Sequence, residues 1–189
     1  MNRKHFLLGL ATVLVAGCKS TPPEPEVKPE TTRLPKRTVR SNCYSLLHDL
    51  LGKQRHLSKI LIIKQESPAL KDLIKRIADT SARGDDLIKN FAQLDQGISL
   101  EMLLLPPGET ATRDAIADTR TQELLHSSGK EFKANILFTQ SESMGYAWHL
   151  CKVAAVYEPN AEWSRQLKEL SQDFKVLQHE VVSMIRSSP

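Results

Sequence analysis

The sequence predicts an all-α fold, a four-helix bundle with a long crossover between the second and third long helices. Apolar residues recur at four-three spacing over four long stretches, the stride that keeps one face of a helix on its neighbours. No segment alternates with period two over strand length, so no sheet is expected. The connection between the second and third long stretches runs to about 30 residues, against the two to eight usual between adjacent helices of a bundle.

The first stretch, 43–66, steps through Cys43, Leu47, Leu50, Gln54, Leu57 and Leu61 and is expected to be one helix. Ser67-Pro68 then reads as a helix start, with serine as the cap and proline at the first helical position, where no N–H is needed. The second helix continues to about residue 95 on Leu70, Ile74, Ile77, Ser81, Gly84, Ile88 and Phe91. On its other face Asp72 and Arg76, Asp79 and Arg83, and Asp85 and Lys89 stand four apart, which predicts a solvated, charge-paired surface. Acids alternate with bases there, so a basic binding stripe is excluded.

Gly97 to Thr112 holds Pro106-Pro107-Gly108 and the apolar Met102 to Leu105. A shorter helix is expected from about 110 to 126. With that helix the connection is long enough to run back along the bundle, about 36 Å for a 24-residue neighbour. Ser128-Gly129-Lys130-Glu131 matches a capping box and opens the third long helix, to about 157, with Phe132, Ile136, Ser143, Ala147, Leu150, Ala154 and Tyr157 on one face. Pro159-Asn160 ends that helix and caps the next. There Trp163, Leu167, Leu170, Phe174, Leu177, Val181 and Met184 repeat four-three without a break.

Ahead of the helices the chain has a different character. Arg3 and Lys4 precede an apolar run, Phe6 to Val15, of about ten residues, half the length a membrane-spanning helix requires. Val15-Ala16-Gly17-Cys18 resembles the lipobox of bacterial lipoproteins. The resemblance implies that residues 1–17 are a signal peptide cleaved before Cys18, that diacylglycerol joins the Cys18 sulfur, and that the new amino group is acylated. Three acyl chains, at about 0.8 kcal/mol per buried methylene, anchor a protein almost irreversibly. Lys19, rather than aspartate, follows the cysteine, which points to the outer membrane with the domain in the periplasm. From Lys19 to Arg40 five prolines alternate with charged residues and almost nothing apolar. Residues 18–40 are therefore expected to be a lipidated, disordered tether reaching about 70 Å at about 3.1 Å per residue. The bundle domain follows as 41–189.

The chain has 26 Lys and Arg against 22 Asp and Glu. Loss of Arg3 and Lys4 with the signal peptide leaves two fewer basic groups, so the pI of 9.0 is partly the leader's and gives little support for nucleic acid as a partner. A domain of about 150 residues buries roughly 70% of its unfolded surface, enough for one core without metal or disulfide.

The run Ser128-Gly129-Lys130-Glu131-Phe132, with Gln140 and Leu177-Gln178-His179, resembles a family of bacterial envelope proteins known only as a domain of unknown function, described as predicted outer-membrane proteins with a ferritin-like four-helix bundle. The similarity covers about residues 43–185 and implies that fold and that location. The chain departs from the family pattern at Lys133, where the family has aspartate, and at Asp79-Thr80 and Ser143-Met144, where it has Asp-His pairs. Ligand or metal roles at those positions are not carried over.

A di-iron bundle of the ferritin type needs inward glutamates and two Glu-x-x-His motifs at mid-helix. The middles of the apolar faces instead carry Gln54, Ser58, Ser81, Gly84, Thr139, Gln140 and Ser143, neutral groups that cannot balance two cations. The one Glu-x-x-His, Glu123 to His126, lies in the short connecting helix. No metal, cofactor or catalytic residue is assigned. His179 is expected to face solvent, and His149 to be half-buried in a hydrogen-bonding role. Ser81 and Gly84 are read as making room for Phe174 or another ring, and the polar mid-bundle layer as enclosing a small cavity. Cys43 and Cys151 remain once Cys18 is lipidated. A crossover brings them to the same end of the bundle, where either a disulfide or buried free thiols would fit.

These features predict a non-enzymatic, envelope-anchored lipoprotein whose helical module binds a ligand or an envelope protein partner, with no nucleic acid. A ferritin-like metal-binding or redox protein is the alternative and a structural spacer the third reading. Metal analysis separates the second from the others, and in-cell cross-linking separates the first from the third.

Overall fold

Five α-helices and one 3-10 turn follow one another in the computed structural model, which describes residues 36–101 and 105–187. They are α1 (Lys36–Gln54), a 3-10 helix (Leu57–Ile62), α2 (Pro68–Leu94), α3 (Pro107–His126), α4 (Gly129–Tyr157) and α5 (Ala161–Arg186). The lipobox, Cys18 and most of the expected tether lie outside the described residues. No described residue is in a strand.

Helix α1 begins at Lys36, inside the stretch expected as tether, and so moves the start of the folded part from 41 to 36. The physical reason is Arg40, which is 8% exposed. Its Nε donates to Glu158 Oε2 at 2.9 Å and its Nη1 to Asp95 Oδ2 at 2.8 Å. Tyr44 Oη donates to the same Glu158 oxygen at 2.5 Å. A charged residue in a polar run reads as solvated, but here its partners come from the ends of α2 and α4.

The other end of α1 also differs from expectation. The single helix expected over 43–66 stops at Gln54, and the chain tightens to i→i+3 bonding, Lys59 N to His56 O at 3.0 Å and Ile63 N to Ile60 O at 3.2 Å. In 3-10 winding side chains three apart eclipse. Leu57 and Ile60 thereby turn together onto the core, while Ile62 and Ile63 remain 83% and 63% exposed.

The starts of α2 and α5 form as their sequences dictate. Ser67 accepts from Leu70 N at 3.3 Å with Pro68 at the first position, and Asn160 accepts from both Glu162 N and Trp163 N. The capping box at α4 does not form. Gly129 sits at φ +54°, in the left-handed region open to glycine, and Ser128 makes no side-chain cap bond. That change of chain direction at the first residue alters the cap geometry the motif presupposes.

Helix α1 packs on α2 and α4, and α5 packs on α4 and α2, so the four long helices form a ring in the order α1, α2, α5, α4. Directions follow from side-chain pairs. Arg76 meets Glu180, Arg83 meets Asp173, and the Phe91 ring stacks on Trp163 at 4.4 Å, so α2 and α5 are antiparallel. Ser164 Oγ donates to Ala155 O and Ser171 Oγ to Trp148 O, which sets α5 antiparallel to α4. Arg40 at the start of α1 meets the ends of α2 and α4, so α1 opposes both. Helices α2 and α4 therefore run the same way, and the chain must return the length of the bundle between them. Helix α3 is that crossover.

The core is built from the expected seams with a shift in α1, where Tyr44, Leu47 and Leu51 are fully buried and Leu50 is only half-buried. At Gly84 the nearest neighbours are leucines rather than the ring expected. A Cβ there would meet Leu51 Cδ1 at 2.9 Å and Leu170 Cδ2 at 3.1 Å, so it is two leucines from flanking helices that close over it. The core side chains all lie between Cys43 and Val181. Residues 34–189 cluster as one compact unit, and a unit with its own core is expected to fold alone.

Arg40→Met leaves the Glu158 carboxylate buried with its charge uncompensated and is expected to cost about 3–5 kcal/mol in urea denaturation. Adding Glu158→Gln, which removes that charge, recovers part of the loss.

Candidate functional site

The crossover helix is held weakly. Of its 20 residues only Leu124 is buried, and Ile116 is 56% exposed. Thr112, Thr119 and Thr121 turn their hydroxyls back onto the carbonyls of Gly108, Ala115 and Ala117, a habit that loosens helices and gives no contact to the bundle. Polar ties from neighbouring elements hold α3 in place. Arg113 donates to Tyr146 Oη at 2.9 Å and lies over its ring at 5.1 Å, and Lys53 stands 3.6 Å from Asp114. At the far end Lys64 Nζ donates to the carbonyls of Leu125 and Ser127.

Between α3 and the α1–α4 pair lies a cleft of about 700 Å³, within the range of small-molecule sites. Leu46, Leu50 and Leu57 line one wall, and Ile116, Ala117 and Leu124 of α3 form its cover. Six of its seven charged side chains pair at the rim, Lys53 with Asp49, Arg113 with Glu109, and Arg120 with Glu142, and Asp118 is the seventh. Burial lowers the Arg113 pKa and Tyr146 and Glu109 more than offset it, so the guanidinium is held above its ordinary value. Burial pushes the Tyr146 phenol up.

The floor is neutral. Four of the six residues expected in a polar mid-bundle layer, Gln54, Thr139, Gln140 and Ser143, line this cleft. Gln140 is 1% exposed, and neither its Oε1 nor its Nε2 has a hydrogen-bond partner. Gln54 Nε2 donates to Ser143 Oγ at 3.1 Å, while Gln54 Oε1 is likewise buried without a partner. An unsatisfied buried polar group costs about 1–3 kcal/mol, so these three atoms weaken the packing beneath the cleft. The layer does not enclose a chamber at the centre of the bundle, as the sequence suggests. It floors a cleft on the α1–α4 side, because α3 spans the groove there without filling it. Ser58, half-buried in the 3-10 helix, and Ser81, buried on α2 with an unpartnered Oγ, stand apart from the cleft.

Cys43 and Cys151, on the packed pair α1 and α4, are both buried and free. Burial pushes the Cys43 thiol up to about 11. It pushes Cys151 up further still, and the nearby Cys43 adds to the shift. Thiolate is the reactive form, so neither sulfur is poised for exchange or nucleophilic attack in this state.

A second polar cluster was misread in sequence. Asp85, expected on the solvated face with Lys89, is fully buried. His48 Nδ1 donates to Oδ1 at 2.7 Å, and Arg55 and Lys89 donate to Oδ2, each at 2.7 Å. The spacing held a clue, since Asp85 stands four past Ser81 and three before Ile88, on the inward stride. Three donors, the cations Arg55 and Lys89 among them, saturate the carboxylate and tie the α1 side to α2. Arg83, expected to pair with Asp79, reaches Asp173 of α5 instead.

The remaining histidines among the described residues are not gathered into a site. His126 bonds the Gln122 carbonyl, and Glu123 pairs with Arg120. His149 is exposed rather than half-buried, although it does hydrogen-bond, through Nδ1 to the Gly145 carbonyl. His179 is exposed, with its ring edge-on to Trp148. Among the described residues no group of three His, Cys, Asp or Glu side chains is gathered where it could hold a metal ion.

Scanned against models of known families, the chain matches none, and neither curated proteins nor solved structures include a chain similar to it.

Two measurements check this geometry. Burial alone would raise the Asp85 pKa, and Lys89, His48 and Arg55 outweigh it, so the carboxyl is held below its ordinary 3.8. A carboxyl depressed in the folded state stabilises fully above its unfolded value, and that contribution is lost as pH falls through the folded one. Stability of the 34–189 unit should therefore fall as pH drops below about 4, and Asp85→Asn should flatten that slope in acid denaturation series. Gln140→Met keeps the length of the side chain and removes the orphaned amide. In ligand-free protein it is expected to raise stability by about 1 kcal/mol, read as a higher urea midpoint.

Proposed function

We propose that this chain is a bacterial lipoprotein, anchored in the cell envelope through acylated Cys18, whose helical domain is a non-enzymatic module that binds a small ligand in the cleft beneath α3. The observation that carries the reading is the cleft of about 700 Å³ between α3 and the α1–α4 pair, with Leu46, Leu50 and Leu57 on its wall and the half-buried Gln54, Thr139 and Ser143 at its floor. A mostly apolar concavity with a few convergent polar groups is the usual form of a ligand site. Six of the seven charged residues of its lining stand in pairs, and among the described residues no nucleophile with an adjacent base faces the floor, which favours binding over chemistry.

The anchor reading is supported by Val15-Ala16-Gly17-Cys18 and by the apolar run too short to span a bilayer. None of the described helices is long and apolar enough to cross a membrane. The outer membrane, with the domain in the periplasm, is the proposed address, following from Lys19 after the lipidated cysteine.

Two experiments test the two halves. Cells fed labelled palmitate should label the wild-type protein and not Cys18→Ala, and an unlabelled wild type removes the anchor. Native mass spectrometry of the protein isolated from envelope should show a bound small molecule that Thr139→Trp, which fills the cleft floor, abolishes. A wild type carrying nothing, whose mass and stability match the filled variant, removes the ligand.

A further inference from the structure

The end of the bundle farthest from Arg40 carries an apolar tip that the packing leaves uncovered. The 3-10 helix turns the chain there between α1 and α2, and Ile62 and Ile63 at its close are not drawn onto the core with Leu57 and Ile60. Ile62 is the most exposed large apolar side chain among the described residues, and Ile63 is exposed with it. Lys64 ties this turn to the end of α3 and the start of α4. Its Nζ donates to the Leu125 carbonyl at 2.8 Å and the Ser127 carbonyl at 2.6 Å, and lies over the Phe132 ring. Those bonds bring the exposed Leu125 alongside and hold the isoleucines on a fixed, projecting turn.

The charge around the tip is mainly positive. Lys59 in the 3-10 helix, Lys71 in the first turn of α2 and Lys130 in the first turn of α4 have no acidic partner among the described residues, and Lys64 is bonded to carbonyls. Glu66 and Glu131 are the carboxylates that stand against them in the same turns. Along the sides of the bundle, by contrast, Arg76, Arg83 and Arg165 are each paired with an acid. Residues three apart eclipse in 3-10 winding, so Lys59 and Ile62 project from the same side.

Three apolar side chains on a projecting turn are too few for a stable protein interface, which takes about 800 Å² from each partner. A lipid surface requires no matching shape. It accepts apolar side chains at the boundary of its acyl chains, while lysines lay their stems along that boundary and keep their heads among the phosphates. Lysines without acidic partners beside an apolar tip match an anionic bilayer in charge as well as in polarity.

We propose that the tip formed by Ile62, Ile63 and Leu125, with Lys59, Lys71 and Lys130 around it, docks on an anionic lipid bilayer. The docking depends on neither the Cys18 anchor nor a ligand in the cleft.

The 34–189 unit, once circular dichroism has shown it folded, is floated with vesicles of phosphatidylethanolamine and phosphatidylglycerol, and with vesicles of phosphatidylcholine alone. At least tenfold more protein is expected to float with the anionic vesicles, and added salt should reduce that binding. Ile62→Asp with Ile63→Asp should lower it at least tenfold, and so should Lys59→Glu with Lys130→Glu. Val156→Asp, at a comparably exposed apolar position in the last turn of α4, should leave it within twofold. No flotation with anionic vesicles, equal flotation with both kinds, binding that either double variant leaves unchanged, or a loss as large in Val156→Asp overturns the proposal. Should the isoleucine variant fail to fold, Ile62→Ser alone must still lower the flotation, and an unchanged value overturns the proposal.

Discussion

One carboxylate, that of Glu158, ties the helical ends together. It lies at the close of α4, fully shielded, and receives Arg40 and Tyr44 from the first turns of α1 and the backbone N–H of Asn160 at the entrance to α5. Arg40 in turn holds Asp95, just past the end of α2. A charge in such a place must have partners, since removal from water costs more than apolar contact returns. Burial lowers the Arg40 pKa, and Glu158 and Asp95 more than restore it, so the guanidinium is held above its ordinary value. Burial and the adjacent Glu158 push the Tyr44 phenol up, so it stays a neutral donor. The four helices are in this way held in register at one end by polar bonds that work only if the ends coincide.

The path of the chain follows from that coincidence. If the ends of α2 and α4 must both lie beside the start of α1, the two helices run the same way, and a return segment is unavoidable. The return segment cannot be a fifth core helix, because the ring of four already closes on itself. Helix α3 is therefore laid over the groove between α1 and α4 with few apolar residues to bury, and the space beneath it is what remains when a cover rests on a bundle without joining its packing. The cleft is a consequence of topology before it is a feature of any single side chain. Gln54, Thr139 and Ser143 then give that space a neutral, polar floor.

Much of this was legible in sequence. The seams of α2 and α5 repeat four-three with few interruptions, so their inward faces could be read residue by residue, and a connection of about 30 residues already required a crossover. The neutral layer was legible too, because Gln140 stands four past Ile136 and four before Met144 on a buried face. What sequence did not show was set by partners distant in the chain. Arg40 looked like tether because Glu158 lies 118 residues away, and Asp85 looked solvated because His48 and Arg55 approach it from another helix. The end of α1 was misplaced for a different reason. The stride of leucines continues to Leu61, but the chain must turn there to reach Pro68, and a tighter winding keeps the leucines on the core while changing direction.

The position of Arg40 also has a mechanical meaning. Any tension on the chain ahead of Lys36 enters the domain at the first turn of α1, about one turn before the guanidinium that grips Glu158 and Asp95. Pulling along the axis of that helix loads these charge-assisted bonds together, in shear, and shares the force across the ends of three helices. A pull transverse to the axis would instead strip contacts one at a time. Along that axis the fold thus resists in parallel what it would otherwise yield piece by piece.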